Sequence, residues 1–143
     1  METALVPAVP PWLHVALDEI GQCEIVGAVN NPRIELYHSC TAGGASPDEV
    51  PWCASFVCWC MEQAGHPSPR SKRAAEWLEW GVSTSPRAGT VVVFPRTGGH
   101  HVGFVLDASI GMVYVLGGNQ DNRVGVRGYS RFAALAYRWP VEV

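Results

Sequence analysis

The sequence predicts an α+β domain, with helices first, an antiparallel sheet afterwards, and the helices packed on one side of that sheet. Three observations predict it. Apolar residues recur at helical spacing only between residues 11 and 80, and β-prone runs separated by Gly, Asp, Asn and Ser fill the chain beyond Pro86. A length of 143 residues suits one core and is short for two ordinary domains, so 1–143 reads as a single domain.

Taken in order, the first helix is expected over 11–20, where Leu13, Ala16, Leu17 and Ile20 share a face, Pro11 suits the first turn and Gly21 the stop. After a loop around Asn30, Asn31 and Pro32, residues 33–38 suit a short second helix, and a turn-rich stretch at 41–50 delivers the chain to Pro51. A third helix is expected from 51 to 64, with Phe56, Val57, Cys60, Met61 and Ala64 on one face and Gly65 ending it. A fourth is expected at about 71–80, before Gly81. Strands follow at 90–94, 101–106, 112–116, 123–126 and 135–139.

Hydrophobic residues make up 48% and charged residues 16%, a composition that folds, and a net charge of −3 argues against a nucleic-acid partner. No run of about 18 apolar residues is present to insert into a membrane. The opening METALVPAVPPW lacks a basic segment and its prolines interrupt any apolar stretch, so synthesis in the cytoplasm without a signal peptide is expected. Five cysteines, three of them between residues 53 and 60, make a poor disulfide framework, and reduced thiols and a monomer are expected.

The chemistry concentrates on Cys53, which stands at the first turn of the third helix directly after a loop. Unpaired N–H groups and the positive end of the helix dipole favour a thiolate there, and the same N–H groups suit a developing oxyanion. Cys23, Cys40, Cys58 and Cys60 lack that context and read as core residues. In Gly98-Gly99-His100-His101-Val102-Gly103-Phe104, alternation places Val102, Phe104 and Leu106 toward the core and His101 on the other face, with Gly103 leaving space beside the imidazole. His100 then faces away from His101 and reads as rim or structure. A hairpin centred near residue 110 sets Asn119 opposite His101, where an amide oxygen would hold the ring in one tautomer, the logic of Cys-His-Asn sites. A register slip of one puts Gly118 there instead, and Asn119 also fits a simple turn residue. Trp52 and Tyr37 are candidates for a substrate groove, with the core as the plainer alternative; His14, His38 and His66 read as exposed. No CxxC pair or HExxH helix supports a metal, so no cofactor is expected.

Asn31-Pro32-Arg33-Ile34, Asp48-Glu49-Val50-Pro51-Trp52-Cys53-Ala54-Ser55-Phe56-Val57, Gly99-His100-His101-Val102-Gly103-Phe104-Val105 and Gly117-Gly118-Asn119-Gln120 together resemble a family of small phage and bacterial cell-wall hydrolases, similar to the CHAP and NlpC-type peptidoglycan cysteine peptidases. The resemblance runs over nearly the whole chain. It implies a papain-like α+β fold with Cys53 as nucleophile, His101 as base and Asn119 as third member. It also implies a peptidoglycan hydrolase that opens an amide bond in the stem peptide or at the sugar–peptide junction. The sequence departs from many members in having Gly117 where an acidic residue often stands two positions before the asparagine. A lysin released to the wall and an effector delivered to a rival's periplasm, countered by an immunity protein, both fit these residues. The main alternative is a papain-like peptidase, deamidase or transferase acting on protein. A metal site at the paired histidines and a non-catalytic wall-binding module are weaker readings.

Overall fold

The computed structural model describes residues 9–25, 30–44 and 51–141. Asp48, Glu49, Val50 and part of the expected turn-rich stretch lie outside the described residues. Helix α1 spans Pro11–Leu17, α2 spans Pro32–Ser39 and α3 spans Cys53–Gln63. Strands β1 (Val82–Ser83), β2 (Val91–Arg96), β3 (Gly99–Ala108), β4 (Met112–Gln120), β5 (Arg123–Ser130) and β6 (Ala136–Trp139) follow, so the α+β order predicted from the sequence is the order observed. Among the described residues the strands form one antiparallel sheet in the order β1-β6-β2-β3-β4-β5.

Helix α3 is apolar on every side: each residue from Cys53 to Met61 is buried, so it runs through the core rather than along the surface. It packs against α1 and α2 on one flank and against β3 and β4 on the other. Helix α2 begins where its residues dictate, with Pro32 in the first turn and the Asn31 side chain accepting the Arg33 N–H at 2.8 Å. Glu19, just beyond α1, ties the two helices together. Its carboxylate accepts both Nε and Nη2 of Arg33 at 2.7 Å and the Tyr37 hydroxyl at 2.6 Å.

Two helices are shorter than their periodicity suggests. Helix α1 stops at Leu17 and leaves Ile20 49% exposed, because the chain turns to join β5: Gly21 N–H donates to Val124 O and Val124 N–H to Gln22 O. The expected helix at 71–80 is a single 3₁₀ turn, Ala74–Trp77. There the Ser71 hydroxyl accepts the Arg73 N–H, a local bond that competes with helix formation.

The sheet has two apolar faces. Val91, Val93, Val102, Phe104, Leu116 and Val124 face the helices, while Val92, Phe94, Val105, Val113 and Val115 form a second cluster on the reverse. Phe94 of β2 and Tyr129 of β5 stack at 4.4 Å between ring centroids. In a flat sheet those strands would stand about 14 Å apart, so the sheet is strongly curled and its reverse face is a concave trough.

Candidate active site

The ladder between β3 and β4 runs through Val105–Val115 and Phe104–Leu116 and stops there. Beyond Leu116 no further β3–β4 pair forms, and Gly118 lies against α3. A Cβ on Gly118 would stand 2.8 Å from both Phe56 Cβ and Trp52 Cε3, so only glycine allows this approach. The start of α3 packs beside β3. The Cys53 sulfur faces the backbone N–H of Val102, those of Ala54 and Cys53, and the Arg96 guanidinium. Cys53 is 4% exposed. Burial pushes its thiol up, and the Val102 N–H, the charge of Arg96 and the first-turn N–H groups pull down without overcoming it. The expected thiolate preference of the helix start is thus present but outweighed by burial in the resting molecule.

His101 follows from the same strand, one residue before Val102. As alternation predicts, it lies on the face opposite Val102 and Phe104, paired with Phe94 of β2 and 6.0 Å from the Tyr129 ring. Its Nε2 is 3.0 Å from Gln120 Oε1. The direction of this bond is fixed by the rest of the glutamine: Gln120 Nε2 donates to Val115 O (3.1 Å) and Gly125 O (2.7 Å), leaving the oxygen as acceptor. The Tyr129 hydroxyl donates to the same oxygen at 3.1 Å. Nε2 therefore carries the ring hydrogen, and Nδ1 is a lone-pair acceptor. Nδ1 is buried and has no partner among the described residues. Burial holds the imidazole below its ordinary range; the Gln120 bond opposes this, and Arg96 and Arg127 reinforce it.

A hairpin centred near residue 110 predicts Asn119 beside His101; in the structure the next residue, Gln120, is the one bonded to the imidazole. Because the ladder ends three residues short of His101 and Asn119 adopts a left-handed backbone (φ 59°), strand alternation is reset and Gln120 turns inward. Asn119 lines the cleft instead. Gly117, the departure from the acidic residue of many relatives, is where that space is decided. A Cβ there would stand 3.0 Å from Gln120 Oε1 and 3.5 Å from His101 Nε2, so the glutamine fills from position 120 what a side chain at 117 would fill.

Other candidates sort differently. Trp52 and Tyr37 are wholly buried, stacked on each other and bonded to Glu24 and Glu19, so neither lines a groove. The space expected beside Gly103 is taken by Val115, whose Cγ1 would lie 2.6 Å from an added Cβ. His38 is buried, with Nδ1 2.7 Å from Ser55 Oγ, contrary to its expected exposure. Cys58 and Cys60 are core residues, as read from the sequence, and burial pushes the Cys40 thiol up to about 12. His100 borders a cleft of about 180 Å³ with Cys53, Lys72 and Arg96. On the other side of Arg96 a cleft of about 410 Å³ is lined by His101, Asn119, Gln120, Arg127 and Tyr129. Gln120, Arg96, Arg127 and Tyr129 were missed by sequence reasoning. The one available signal was Gly117-Gly118 ahead of Asn119, a composition that warns against extending alternation.

The CHAP domain family model matches residues 45–119, which include Cys53 and His101. No curated protein sequence matches the chain. Among solved structures the chain is similar to that of the peptidoglycan hydrolase RipB from Mycobacterium tuberculosis, with a TM-score of 0.56 and 14% identity over 93% of this chain. The chain spans 64% of the RipB chain it matches. At that identity the likeness concerns the fold, and it is the same helix-then-sheet architecture derived above. With the family model covering more than half of the sequence, Cys53 and His101 included, the chain belongs to the CHAP domain family.

Proposed function

We propose that this protein is a peptidoglycan hydrolase that opens an amide bond of the stem peptide, or the bond joining stem to sugar, with Cys53 as nucleophile and His101 as general base. One observation carries the reading: a buried thiol beside Val102 and a buried imidazole at His101 whose Nε2 is tied and whose Nδ1 is unclaimed among the described residues. Family membership and the RipB-like fold support the substrate class.

In this mechanism the Cys53 proton passes to His101 Nδ1 as sulfur attacks the carbonyl carbon. Both groups are held neutral by burial, so moving a proton between them creates a compensated pair, which costs less than charging either alone. First-turn N–H groups of α3 are suited to receive the oxyanion. The C–N bond then breaks as Nδ1–H protonates the leaving amine, giving a thioester. Water, deprotonated by Nδ1, adds to the thioester, the C–S bond breaks, and the sulfur recovers its proton. Gln120 is proposed as the residue that holds the base, in the place first assigned to Asn119.

Digestion of purified peptidoglycan by wild type, Cys53→Ala and His101→Ala, with products resolved by mass spectrometry, tests the proposal. The expected result is defined amide cleavage by wild type, none by Cys53→Ala, and a fall on the order of 10²–10⁴-fold for His101→Ala, the span that general-base chemistry contributes. Full activity in either variant would overturn the assignment, and cleavage of proteins but not of peptidoglycan would favour the protein-directed alternative.

A further inference from the structure

The chain carries a net charge of −3, yet the trough beside His101 is lined by arginines and by no acidic side chain among the described residues. Period-two alternation brings Phe94, Arg96 and His101 together with Arg127 and Tyr129 on one face of the curled sheet, and the reset at Asn119 adds Gln120. Arg127 lies over the Tyr129 ring at 5.9 Å, and both guanidiniums are close enough to His101 to disfavour its charging. Neither is ion-paired: the salt bridges among the described residues are Arg33–Glu19 and Arg70–Glu62. Both arginines are exposed at the rim of the cleft.

Lys72, which shares the smaller cleft with Cys53 and Arg96, differs in kind. Its Nζ already bonds Thr41 Oγ1, Ala42 O and Gly44 O, so its three hydrogens hold the 41–44 loop. Among the described residues Arg96 and Arg127 make no such bonds, and a guanidinium presents a planar fork that matches a carboxylate. Arg96 also borders the smaller cleft that contains Cys53, which puts the cationic rim next to the reacting centre.

We propose that Arg96 and Arg127 form a carboxylate subsite, so that the preferred substrate carries a free carboxylate beside the scissile amide and its carboxamide counterpart is handled poorly. This rests on the hydrolase reading for its cleavage assay, but the subsite has its own binding assay. Muropeptides are prepared in two forms, native and with free carboxylates converted to carboxamides by carbodiimide coupling with ammonia. This removes the charge at nearly constant shape.

Cleavage is measured with wild type, Arg96→Gln and Arg127→Gln, and binding by calorimetry with the same three sequences on a Cys53→Ala background. Circular dichroism checks the fold of each variant. The expected result is a preference for the native form of about 10- to 100-fold, as when a charge-assisted hydrogen bond is given up, shrinking toward one in either Arg→Gln variant. Cleavage of both forms at equal rates would overturn the subsite and leave the hydrolase reading standing. Absence of cleavage with binding preference intact, and lost in Arg127→Gln, would overturn the hydrolase reading and leave the subsite. Neither cleavage nor preferential binding would overturn both, and a preference unchanged in both Arg→Gln variants would overturn the subsite.

Discussion

Both amide hydrogens of Gln120 are committed to carbonyls, and that commitment makes its oxygen a fixed acceptor for His101. Losing it frees the imidazole to rotate and to exchange tautomers. Gln120→Ala is therefore expected to lower kcat on the order of 10- to 100-fold, a part of what a general base contributes. Asn119→Gly, which keeps the left-handed backbone at that position, should cost much less. Steady-state kinetics of the two variants side by side check this, and the reverse ranking would restore Asn119 as the orienting residue. The pH profile belongs to the same residues. On the proposed mechanism catalysis needs neutral His101, so activity is expected to be lost as pH falls through the imidazole's pKa. Burial sets that pKa below 6.5, against the pull of Gln120. The acid limb of kcat/KM should therefore lie below pH 6.5, move lower in Gln120→Ala and rise in Arg127→Gln, whose charge helps to hold the ring neutral.

At the scale of elements, the candidate site lies where the β3–β4 ladder ends and the start of α3 packs beside β3. Gly118 is the point of contact, where an added Cβ meets Trp52 and Phe56 at 2.8 Å. Gly118→Ala should cost about 1–3 kcal/mol, the usual range for overpacking, and should lower activity by shifting the strand that carries Gln120. Urea denaturation and kinetics on one preparation test both halves. The link between α1 and α2 is an independent element-level feature. Burial raises the Glu19 carboxyl, but bonds from Arg33 and Tyr37 bring it net below 4.5. Its contribution is present above pH 4.5 and lost as pH falls through the lower folded-state value. Arg33→Met should destabilise by roughly 1–2 kcal/mol at neutral pH, a figure kept low because Arg33 is 42% exposed. The gap from wild type should narrow below pH 4.5, which denaturation midpoints across pH will show.

Across the whole molecule, the curl of the sheet converts residues from four strands into one trough. It stacks Phe94 on Tyr129 and collects Arg96 and Arg127 next to His101, so that a protein of net negative charge presents a cationic cleft. Attraction through solvent is screened as the Debye length falls from about 30 Å at 0.01 M salt to about 3 Å at 1 M. On the carboxylate-subsite proposal, kcat/KM for native muropeptides should fall steadily with salt while that for amidated ones changes little. A flat response for both would speak against a role for the cleft's charge.

Much of this was legible in the sequence because it is local. Periodicity identified α3 and the five main strands, alternation put His101 on the face opposite Val102 and Phe104, and Pro51-Trp52-Cys53 marked a cysteine at a helix start. The Asn31-Pro32 cap is a local signal of the same kind. What the sequence could not decide was set by contacts between distant segments. The burial of Trp52 and Tyr37, the early end of α1 where the chain joins β5, and the gathering of Arg96 and Arg127 all depend on which elements pack together. So does the choice of Gln120 over Asn119. Alternation counts residues along an unbroken ladder, and here the ladder ends at Leu116, where Gly118 packs against α3 and Asn119 takes a left-handed backbone, which resets which side chain points inward.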